Sequence, residues 1–471
     1  MNILQELNNK TVWNELIEYK ESHQHLNQKE EKMWREYIEN EAYIPTLNNI
    51  HQIISDNSSE EPNHQTLPLP IKREINKSGT NKKRVIYSYP DDFNRVLKMI
   101  TYKLYYYDDK FAPNCYAFRR GTGVNAAVKR VQHIIRSNAP QNYPVMQTDK
   151  LSHSKQNNSS STGLFCLKAD ISNYFNSIDV PILLERLQFL KNEDPALFKL
   201  FELMLTADAA IITTEQNCTK HFAHKSDTIN NYDSTDITDF PGTYKIINEH
   251  RGAMAGTPVS PFFANVYLME MDWYFHNNKI DYFRYSDDIL IFADSYEKLM
   301  KYKDILYKEI EHSHLSLNPD KVKIYLPGDP IEFLGLKFEN GTIDISDNTM
   351  KKIKARIKRK AEALRRWARK KNLSGEKCAK GFIKAMNRKF FDSGNDKDFS
   401  WSRWFFPNLT TDKSLSIIDD YMQEYIRYCV TGRHYKGNYR ISYDQMKSWG
   451  YRNLVHEYYS NLHTKREQEN L

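Results

Sequence analysis

Large apolar side chains recur at helical spacing in the first segment of the chain. Within residues 1–55, Trp13 is followed by Leu16 and Ile17, three and four positions later, and a second set of this kind begins at Trp34. This spacing puts the apolar side chains on one face of a helix. The segment therefore predicts amphipathic helices.

The pattern changes further along the chain. Residues 56–70 are polar and contain prolines, which predicts a linker. Residues 71–89 predict a β-hairpin around a polar centre at 77–81, and residues 90–107 predict a helix. From 164 to 338, short apolar strands alternate with helical stretches. Such alternation is typical of an α+β domain.

Two polar stretches interrupt this pattern, and the end of the chain has a character of its own. We expect surface insertions at 147–162 and 219–244, because both are polar and of low complexity. After residue 345 the chain becomes helical and basic, and residues 399–459 are rich in aromatic side chains. We find no internal repeat.

Length and composition limit the class of protein. A chain of 471 residues predicts about three domains. Hydrophobic residues make up 40% of it, and no apolar run approaches the ~18 residues of a membrane span. The polar N-terminus lacks a signal pattern, so we expect a cytosolic protein. The five cysteines, an odd number with no C-x-x-C pair, argue against a disulfide framework and a zinc site. We expect reduced cysteines that pack in the core.

Positive charge is concentrated in one segment. The net charge is +7, yet residues 351–371 alone contain 12 lysines and arginines and a single acid. Helical spacing puts Ile353, Ile357, Leu364 and Trp367 on one face, with cations around the rest. Such a helix suits a nucleic-acid backbone, although a solvated helix face is the alternative. The 31 tyrosines suit base stacking and an ordinary core equally well.

Acidic residues end two apolar, β-rich segments. Residues 165–170 predict a strand ending in Asp170, and residues 281–292 predict a hairpin with Asp287 and Asp288 at its tip. Carboxylates beside apolar strands repel each other and lose hydration, and divalent cations relieve both costs. Mg²⁺ prefers a few carboxylates together with substrate phosphates, which fits two-metal nucleotidyl transfer. The alternative is an ordinary turn dipeptide, since Asp-Asp also occurs at 91–92, 108–109 and 419–420.

Seven elements in order resemble those of reverse transcriptases, over residues 71–338. They are Lys77 with Arg84 in the fingers; FAPNCYAFRRG at 111–121, similar to the F-x-x-x-x-Y-G-F-R-x-G element of group II intron and retron enzymes; Asp170 with Phe175 (motif A); GTPVSP at 256–261 followed by Phe263-Ala264-Asn265 (motif B); YSDD at 285–288 (motif C); LNPDK at 317–321 (motif D); and FLGL at 333–336 (motif E, the primer grip).

Two positions depart from the family's pattern. Ala117 stands where the family has glycine, and Met254-Ala255 stand where it usually has Pro-Gln. That glutamine normally contacts the incoming nucleotide and the template backbone. Its absence bears on nucleotide choice and not on the metal chemistry.

The resemblance assigns roles to single residues. Lys77 and Arg84 would hold the incoming triphosphate through their charges; a basic hairpin face is the alternative. The Phe175 ring would exclude a 2′-hydroxyl and so select deoxynucleotides, where the alternative is a core phenylalanine. Gly256 would let the backbone approach the template strand. Lys321 would give a proton to the departing pyrophosphate.

The resemblance also implies cofactors and partners. The family's metal positions fall on Asp170, Ile171, Asp287 and Asp288, and the cofactor implied is a pair of Mg²⁺ ions, with Mn²⁺ as the alternative. The three acids and Lys321 form the predicted catalytic set. The implied partners are an RNA template, a DNA product and deoxynucleoside triphosphates. We expect a dedicated non-coding RNA as template and no membrane partner, and a homo-oligomer is left open.

The predicted fold is α+β, a right-hand polymerase with helical extensions at both ends. The predicted boundaries are 1–70 for a helical N-terminal extension and linker, 71–163 for the fingers, 164–338 for the palm with its polar insertion near 219–244, 339–391 for a basic helical thumb, and 392–471 for a helical, aromatic-rich C-terminal domain. We expect the thumb helix to lay its apolar side on the palm. Side chains that would stack on RNA or pair with its phosphates, or else pack the C-terminal domain, are Trp401, Arg403, Trp404, Trp449, Tyr451 and Arg452.

The function implied by the resemblance is RNA-directed DNA synthesis by two-metal nucleotidyl transfer. A role in antiphage defence follows by family analogy alone. One alternative is a template-poor or protein-primed DNA polymerase, suggested by Ala255 and the tyrosine content. An alternative from another class is a catalytically idle RNA-binding scaffold, and the presence of all three acids argues against it.

Overall fold

The computed structural model describes residues 2–24, 28–56, 66–76, 83–138, 163–213, 243–247, 252–339, 341–391 and 401–469. Contacts divide the chain into two compact units. The first comprises Met1–Gly121, Ala169–Ile289 and Lys303–Val322, and the second comprises Thr122–Lys168, Leu290–Tyr302 and Lys323–Leu471. The predicted hairpin centre at 77–81 and the insertions at 147–162 and 219–244 lie outside the described residues, except Thr243 and Tyr244. The five predicted domain boundaries stay predictions.

The strands confirm both predicted hairpins. In chain order they are β1 (Ile71–Asn76), β2 (Lys83–Ser88), β3 (Phe165–Asp170), β4 (Ala209–Thr213), β5 (Thr243–Ile247), β6 (Tyr282–Tyr285), β7 (Asp288–Ala293), β8 (Lys323–Tyr325), β9 (Ile331–Phe333), β10 (Leu336–Glu339) and β11 (Thr342–Ile345). They form sheets with the orders β2-β1-β4-β5, β6-β7-β3-β8 and β11-β10-β9. In the first sheet β1 pairs antiparallel with β2, and Ile75 lies opposite Arg84. The strand β5 begins inside the stretch predicted as a polar insertion.

Helices make up most of the remaining described chain. They are α1 (Ile3–Glu6), α2 (Lys10–Gln24), α3 (Gln28–Glu39), α4 (Ile44–Asp56), α5 (Asp91–Leu104), α6 (Val124–Ser137), α7 (Tyr174–Ser177), α8 (Val180–Arg186), α9 (Gln188–Glu193), α10 (Pro195–Thr206), α11 (Ser260–Tyr267), α12 (Met269–Asn277), α13 (Tyr296–His312), α14 (Asp347–Lys370), α15 (Gly375–Phe390), α16 (Trp401–Phe405), α17 (Lys413–Thr431), α18 (Tyr443–Ser448) and α19 (Leu454–Glu469). The helices α1 to α4 confirm the helical N-terminal segment.

Buried aromatic side chains and one buried acid organise the first unit. Trp13 lies in the helix α2, as its spacing predicted, and stacks on Tyr43 with ring centroids 4.4 Å apart. The Asp194 carboxylate is fully buried and accepts from the amide of Leu197 at 3.0 Å, which begins α10. It also accepts from the amide of Ile3 at 2.7 Å. A single capping acid therefore ties α1 to α10.

The second unit contains the basic helix. Ser346 caps α14, because its side chain accepts from the amide of Thr349. The helix packs on α15 and α17. At the far end, the buried Asp419 carboxylate accepts from the amides of Leu454 and Val455 at 2.9 and 3.1 Å, where α19 begins. Within the described residues, no helix has the length and apolar character needed to cross a membrane.

The cysteines fit the predicted reduced state where they are described. Cys115, Cys166, Cys378 and Cys429 are buried and carry free thiols. Burial raises the pKa of the Cys115 thiol to about 12, so it is neutral. The fifth cysteine, Cys218, lies outside the described residues.

Candidate active site

The main chain brings the predicted acids together. Asp170 ends β3, Asp287 occupies the turn after β6, and Asp288 begins β7. The strands β7 and β3 are neighbours in their sheet. The amide of Ile171 donates to the carbonyl of Asp287 at 3.1 Å, so the two acid-bearing segments touch. Ser286 makes the turn possible by adopting a positive φ of 60°. The predicted strand end and hairpin tip are both confirmed.

The charge of one predicted acid acts unfavourably on another. Asp170 is only 5% exposed. Burial raises the pKa of the Asp287 carboxyl, and the charge of Asp170 raises it further. The main-chain amide of Asp287, Lys321 and Arg84 act in the opposite direction. Positive charge from two other segments therefore supports ionisation at this site.

Lys321 lies directly on the Asp170 carboxylate. Its Nζ donates to Oδ1 at 2.5 Å and to Oδ2 at 2.6 Å. The preceding segment is fixed on the end of β3, because the amide of Asn318 donates to the Asp170 carbonyl at 2.8 Å. A short 3₁₀ turn over Pro319–Lys321, capped by the Asn318 side chain, then directs the lysine inward. The ammonium is thus the counter-ion of Asp170 in this structure.

The donor set fits a magnesium site that is completed by substrate. Among the described residues, no group of three or more His, Cys, Asp or Glu side chains is close enough to hold a metal ion by itself. Mg²⁺ commonly takes one or two carboxylates and completes its shell with water and substrate phosphates. The repulsion between Asp170 and Asp287, and the ammonium on Asp170, both indicate a place for positive charge. Asp170, Asp287 and Asp288, with the carbonyl of Ile171, are the residues that would hold it.

The second strand of the fingers hairpin lies beside this site. Arg84 is exposed on β2, and its charge lowers the pKa of Asp287. The amide of Tyr87 donates to the carbonyl of Ala255 at 2.7 Å, and the Asn176 side chain donates to the carbonyl of Val85 at 3.5 Å. The strand is therefore held by both motif A and motif B. Lys77 lies outside the described residues.

Gly256 allows its backbone to lie close to a neighbouring segment, and in this structure that segment is the strand β2. A Cβ at this position would lie 2.9 Å from the Tyr87 carbonyl oxygen and 3.1 Å from the Ile86 Cβ, and its φ of 103° favours glycine as well. The structure thus gives Gly256 a packing reason. The expected approach to a template strand stays a prediction.

The loop before Gly256 explains one departure from the family's pattern. Met254 has a φ of 51°, which the ring of proline forbids. Its sulfur accepts from the Tyr89 hydroxyl at 3.6 Å. In this chain the backbone conformation at position 254 therefore excludes the proline of the usual Pro-Gln pair. The change to Met254-Ala255 thus alters the backbone of the loop as well as its side chains.

Phe175 is half-buried, and its role as a gate residue stays a prediction. Its ring packs edge-on against Phe118, with centroids 6.3 Å apart. Phe118 is 41% exposed and has a positive φ of 59°. The backbone of Phe175 is clamped by Gly252 and Ala253: its carbonyl accepts from the Ala253 amide at 2.7 Å.

Gly252 is a site residue that the sequence patterns missed. A Cβ there would lie 2.2 Å from the Phe175 carbonyl oxygen. The only signal in the sequence was a second glycine four residues before Gly256. Its partner lies far away in the chain, so no local pattern could reveal the contact.

The basic helix presents a face that differs from the prediction. The buried side chains are Ile353, Ile357, Ala361 and Ala368, with Leu364 half-buried. Trp367 was expected on this face, but it is 52% exposed. The buried stripe runs through the two alanines, so Trp367 falls at its edge. The exposed cations of the segment are Lys351, Lys352, Arg356, Lys358, Arg359, Lys360, Arg366, Arg369, Lys370 and Lys371.

Most of the aromatic side chains of the C-terminal segment pack inside the second unit. Trp401 stacks on Phe405 with ring centroids 4.6 Å apart. Tyr451 is buried, and its hydroxyl donates to Asp419 at 2.8 Å. Arg452 pairs with Glu457 at 2.7 and 2.8 Å and covers the Phe391 ring. These contacts favour the packing alternative for these residues. Arg403 is exposed, whereas Trp404 and Trp449 are half-buried.

Comparisons with known proteins concern the family and the fold of the chain. Residues 75–338, more than half of the chain, match the family "Reverse transcriptase (RNA-dependent DNA polymerase)". A 106-residue stretch is 30% identical to the retron Ec86 reverse transcriptase of Escherichia coli, covering 22% of this chain and 33% of that protein. The match thus spans about a third of that relative's length.

Solved telomerase structures are similar at a lower level. Apo telomerase from Candida tropicalis, truncated from its C-terminal domain, has a TM-score of 0.41 at 13% identity, covering 59% of this chain and 55% of that one. Telomerase from Candida albicans with a TWJ fragment of telomeric RNA has a TM-score of 0.39 at 15% identity, covering 82% and 64%. These scores are too low to bear on function.

The family match and the mixed helices and strands together define the right-hand polymerase fold. The chain belongs to the reverse transcriptase family.

Proposed function

We propose that this protein synthesises DNA on an RNA template by two-metal nucleotidyl transfer. The observation that supports this best is the convergence of Asp170 and Asp287 through the Ile171–Asp287 hydrogen bond, with Lys321 and Arg84 supplying positive charge. Two divalent cations, when bound, activate the primer 3′-hydroxyl and stabilise the leaving pyrophosphate. Asp170, Asp287, Asp288 and the Ile171 carbonyl would hold them.

The surrounding side chains act on the nucleotide. Arg84, which is exposed and whose charge lowers the pKa of Asp287, would pair with triphosphate oxygens. Lys77 acts with it. The Phe175 ring, half-exposed beside Phe118, excludes a ribose 2′-hydroxyl. Lys321, whose Nζ contacts Asp170, would donate a proton to the departing pyrophosphate.

The basic helix α14 holds the nucleic-acid duplex. Its exposed lysines and arginines follow one another along the helix, and each contact to a phosphate releases a counter-ion. Binding should therefore weaken steeply with salt. The exposed Trp367 adds a ring on which a base can stack.

The biological role we propose is antiphage defence in the cytoplasm, with a dedicated non-coding RNA as template. Its support is the similarity to a retron reverse transcriptase over 106 residues, together with the helices α16 to α19 that follow residue 338, where the family match ends. Ala255, in place of the family's glutamine, favours template-poor or protein-primed synthesis as a second candidate.

One experiment separates these functions. Full-length protein is purified with its nucleic acid, and deoxynucleotide incorporation is measured with Mg²⁺, with EDTA, and after RNase treatment; the copurifying nucleic acid is sequenced. We expect Mg²⁺-dependent synthesis that RNase abolishes, and one enriched RNA. Synthesis that survives RNase would support the template-poor alternative. Bound RNA without any synthesis would support an idle scaffold and contradict the proposal.

A further inference from the structure

A buried ion pair lies behind the turn that carries Asp287. Arg284 in β6 and Asp272 in α12 are both fully buried. The Arg284 Nε donates to Asp272 Oδ1 at 2.9 Å, and Nη2 donates to Oδ2 at 2.5 Å. The Tyr282 hydroxyl donates to the same carboxylate at 2.9 Å. The guanidinium is therefore held in a fixed bidentate geometry.

The remaining nitrogen of this guanidinium reaches the turn itself. Nη1 of Arg284 donates to the carbonyl oxygen of Ser286 at 3.3 Å and to the Asn265 side chain at 3.4 Å. The Ser286 carbonyl and the Asp287 amide belong to one planar peptide unit. A hydrogen bond to that carbonyl thus fixes the orientation of the peptide plane that contains the Asp287 amide. Ser286 needs such support, because its φ of 60° is unfavourable for a non-glycine residue.

The segment at 111–121 holds the arginine from its other side. The amide of Arg284 donates to the Asn114 carbonyl at 3.0 Å, and its own carbonyl accepts from the Tyr116 amide at 2.9 Å. Nη2 also contacts the Cys115 sulfur at 3.2 Å. Both the main chain and the side chain of Arg284 are therefore fixed before the turn begins.

Stability alone does not account for this pair. Desolvation of two charges offsets much of their attraction, and replacing a buried ion pair by apolar residues of similar volume is often neutral or stabilising. Arg284 also contacts the carbonyl of Ser286, directly before the proposed metal ligand Asp287. Residues that support a metal ligand in this way fix its orientation.

We propose that Arg284, held by Asp272, is a positioning residue that fixes the Ser286-Asp287 peptide and so aims the Asp287 carboxylate at a divalent cation. This inference rests on the proposed function, since cation binding by Asp287 is part of it. Its test accordingly measures cation binding directly as well as synthesis.

The test is a Mn²⁺ titration of the full-length protein, followed by electron paramagnetic resonance in the presence of a deoxynucleoside triphosphate. Arg284→Lys keeps a charge opposite Asp272 but removes the forked donor to Ser286. A double variant, Arg284→Met with Asp272→Leu, replaces the whole pair by apolar side chains. Tyr282→Phe is the control, because it removes a bond to Asp272 and leaves the Ser286 contact in place.

We expect Mn²⁺ affinity to fall by about tenfold to a hundredfold in Arg284→Lys and in the double variant. The control should keep wild-type affinity even if its melting temperature falls. A folded Arg284→Lys or double variant with wild-type affinity would overturn the inference. So would wild-type protein that binds no Mn²⁺, or failure of both variants to fold, which would make the pair purely structural. Wild-type Mn²⁺ binding without synthesis would defeat the proposed function alone.

Discussion

The Lys321 ammonium donates to both carboxylate oxygens of Asp170, at 2.5 and 2.6 Å. Asp170 is almost fully buried, whereas the Lys321 side chain is 47% exposed. The lysine thus acts as a tethered cation over a buried acid. It supplies positive charge where the proposed function requires a metal ion, so lysine and metal should be alternatives at this carboxylate.

Lys321→Ala should therefore destabilise the metal-free protein more than the metal-bound one. Removing the ammonium leaves a buried carboxylate without its donor, a cost of about 1–3 kcal/mol. A bound cation would restore most of it by mass action. Melting temperatures in EDTA and in Mg²⁺ should differ more for the variant than for wild type. Lys323→Ala, which removes an equal charge from β8, is the control. An equal difference in both variants would show that Lys321 has no special relation to the cation.

Phe175→Ala should weaken discrimination against ribonucleotides by about tenfold to a hundredfold, because only a steric fit is removed. The measurement is competition between deoxynucleotides and ribonucleotides during incorporation. Tyr174→Phe serves as the control: it removes the buried hydroxyl that bonds to the Ala264 carbonyl and leaves Phe175 in place. An active Phe175→Ala enzyme with wild-type preference would assign the ring to packing.

Trp367→Ala should weaken binding of a primer–template duplex that carries an unpaired overhang, without lowering the melting temperature. One lost base stack costs about 1–3 kcal/mol, or about fivefold to 150-fold in affinity. Trp401→Ala is the matched tryptophan control. Since Trp401 packs between Phe390 and Phe405, its loss should lower stability instead. Unchanged affinity in Trp367→Ala would mean that the exposed ring does not meet nucleic acid.

The two C-terminal arginines should behave differently. Arg452 is paired with Glu457 and covers Phe391, so Arg452→Ala should lower the melting temperature. Arg403 is exposed, so Arg403→Ala should reduce the amount of copurifying RNA at unchanged stability. RNA content equal to wild type in both variants would remove the C-terminal segment from RNA selection.

The acid-bearing elements could be predicted because their signals are local. Short β-rich runs that end in acids predict both the strand before Asp170 and the hairpin around Asp287. The helical N-terminal segment was equally visible from its apolar spacing. In each case the structure confirms the predicted element.

Contacts between distant segments could not be predicted in this way. Gly252 packs on the Phe175 carbonyl. Arg284 in β6 forms its ion pair with Asp272 in α12. Trp367 was assigned to the buried face from spacing alone. Small side chains at Ala361 and Ala368 shifted that face and left the tryptophan exposed. The side-chain volumes of α14 and of its partners decide this, and periodicity does not report them.

We expect Asp287 to be a metal-binding catalytic acid. Its pKa is raised by burial and by Asp170. An acid with a raised folded-state pKa lowers stability as pH rises from its unfolded pKa through the folded one. Asp287→Asn should therefore hold or raise the melting temperature in EDTA near neutral pH, with a gain that shrinks on acidification.

The most direct measurement is Mg²⁺-dependent deoxynucleotide incorporation by Asp287→Asn beside wild type, with melting curves in EDTA for both. We expect a folded variant, at least as stable as wild type, that incorporates no nucleotide. A folded Asp287→Asn protein that incorporates deoxynucleotides at the wild-type rate would contradict it.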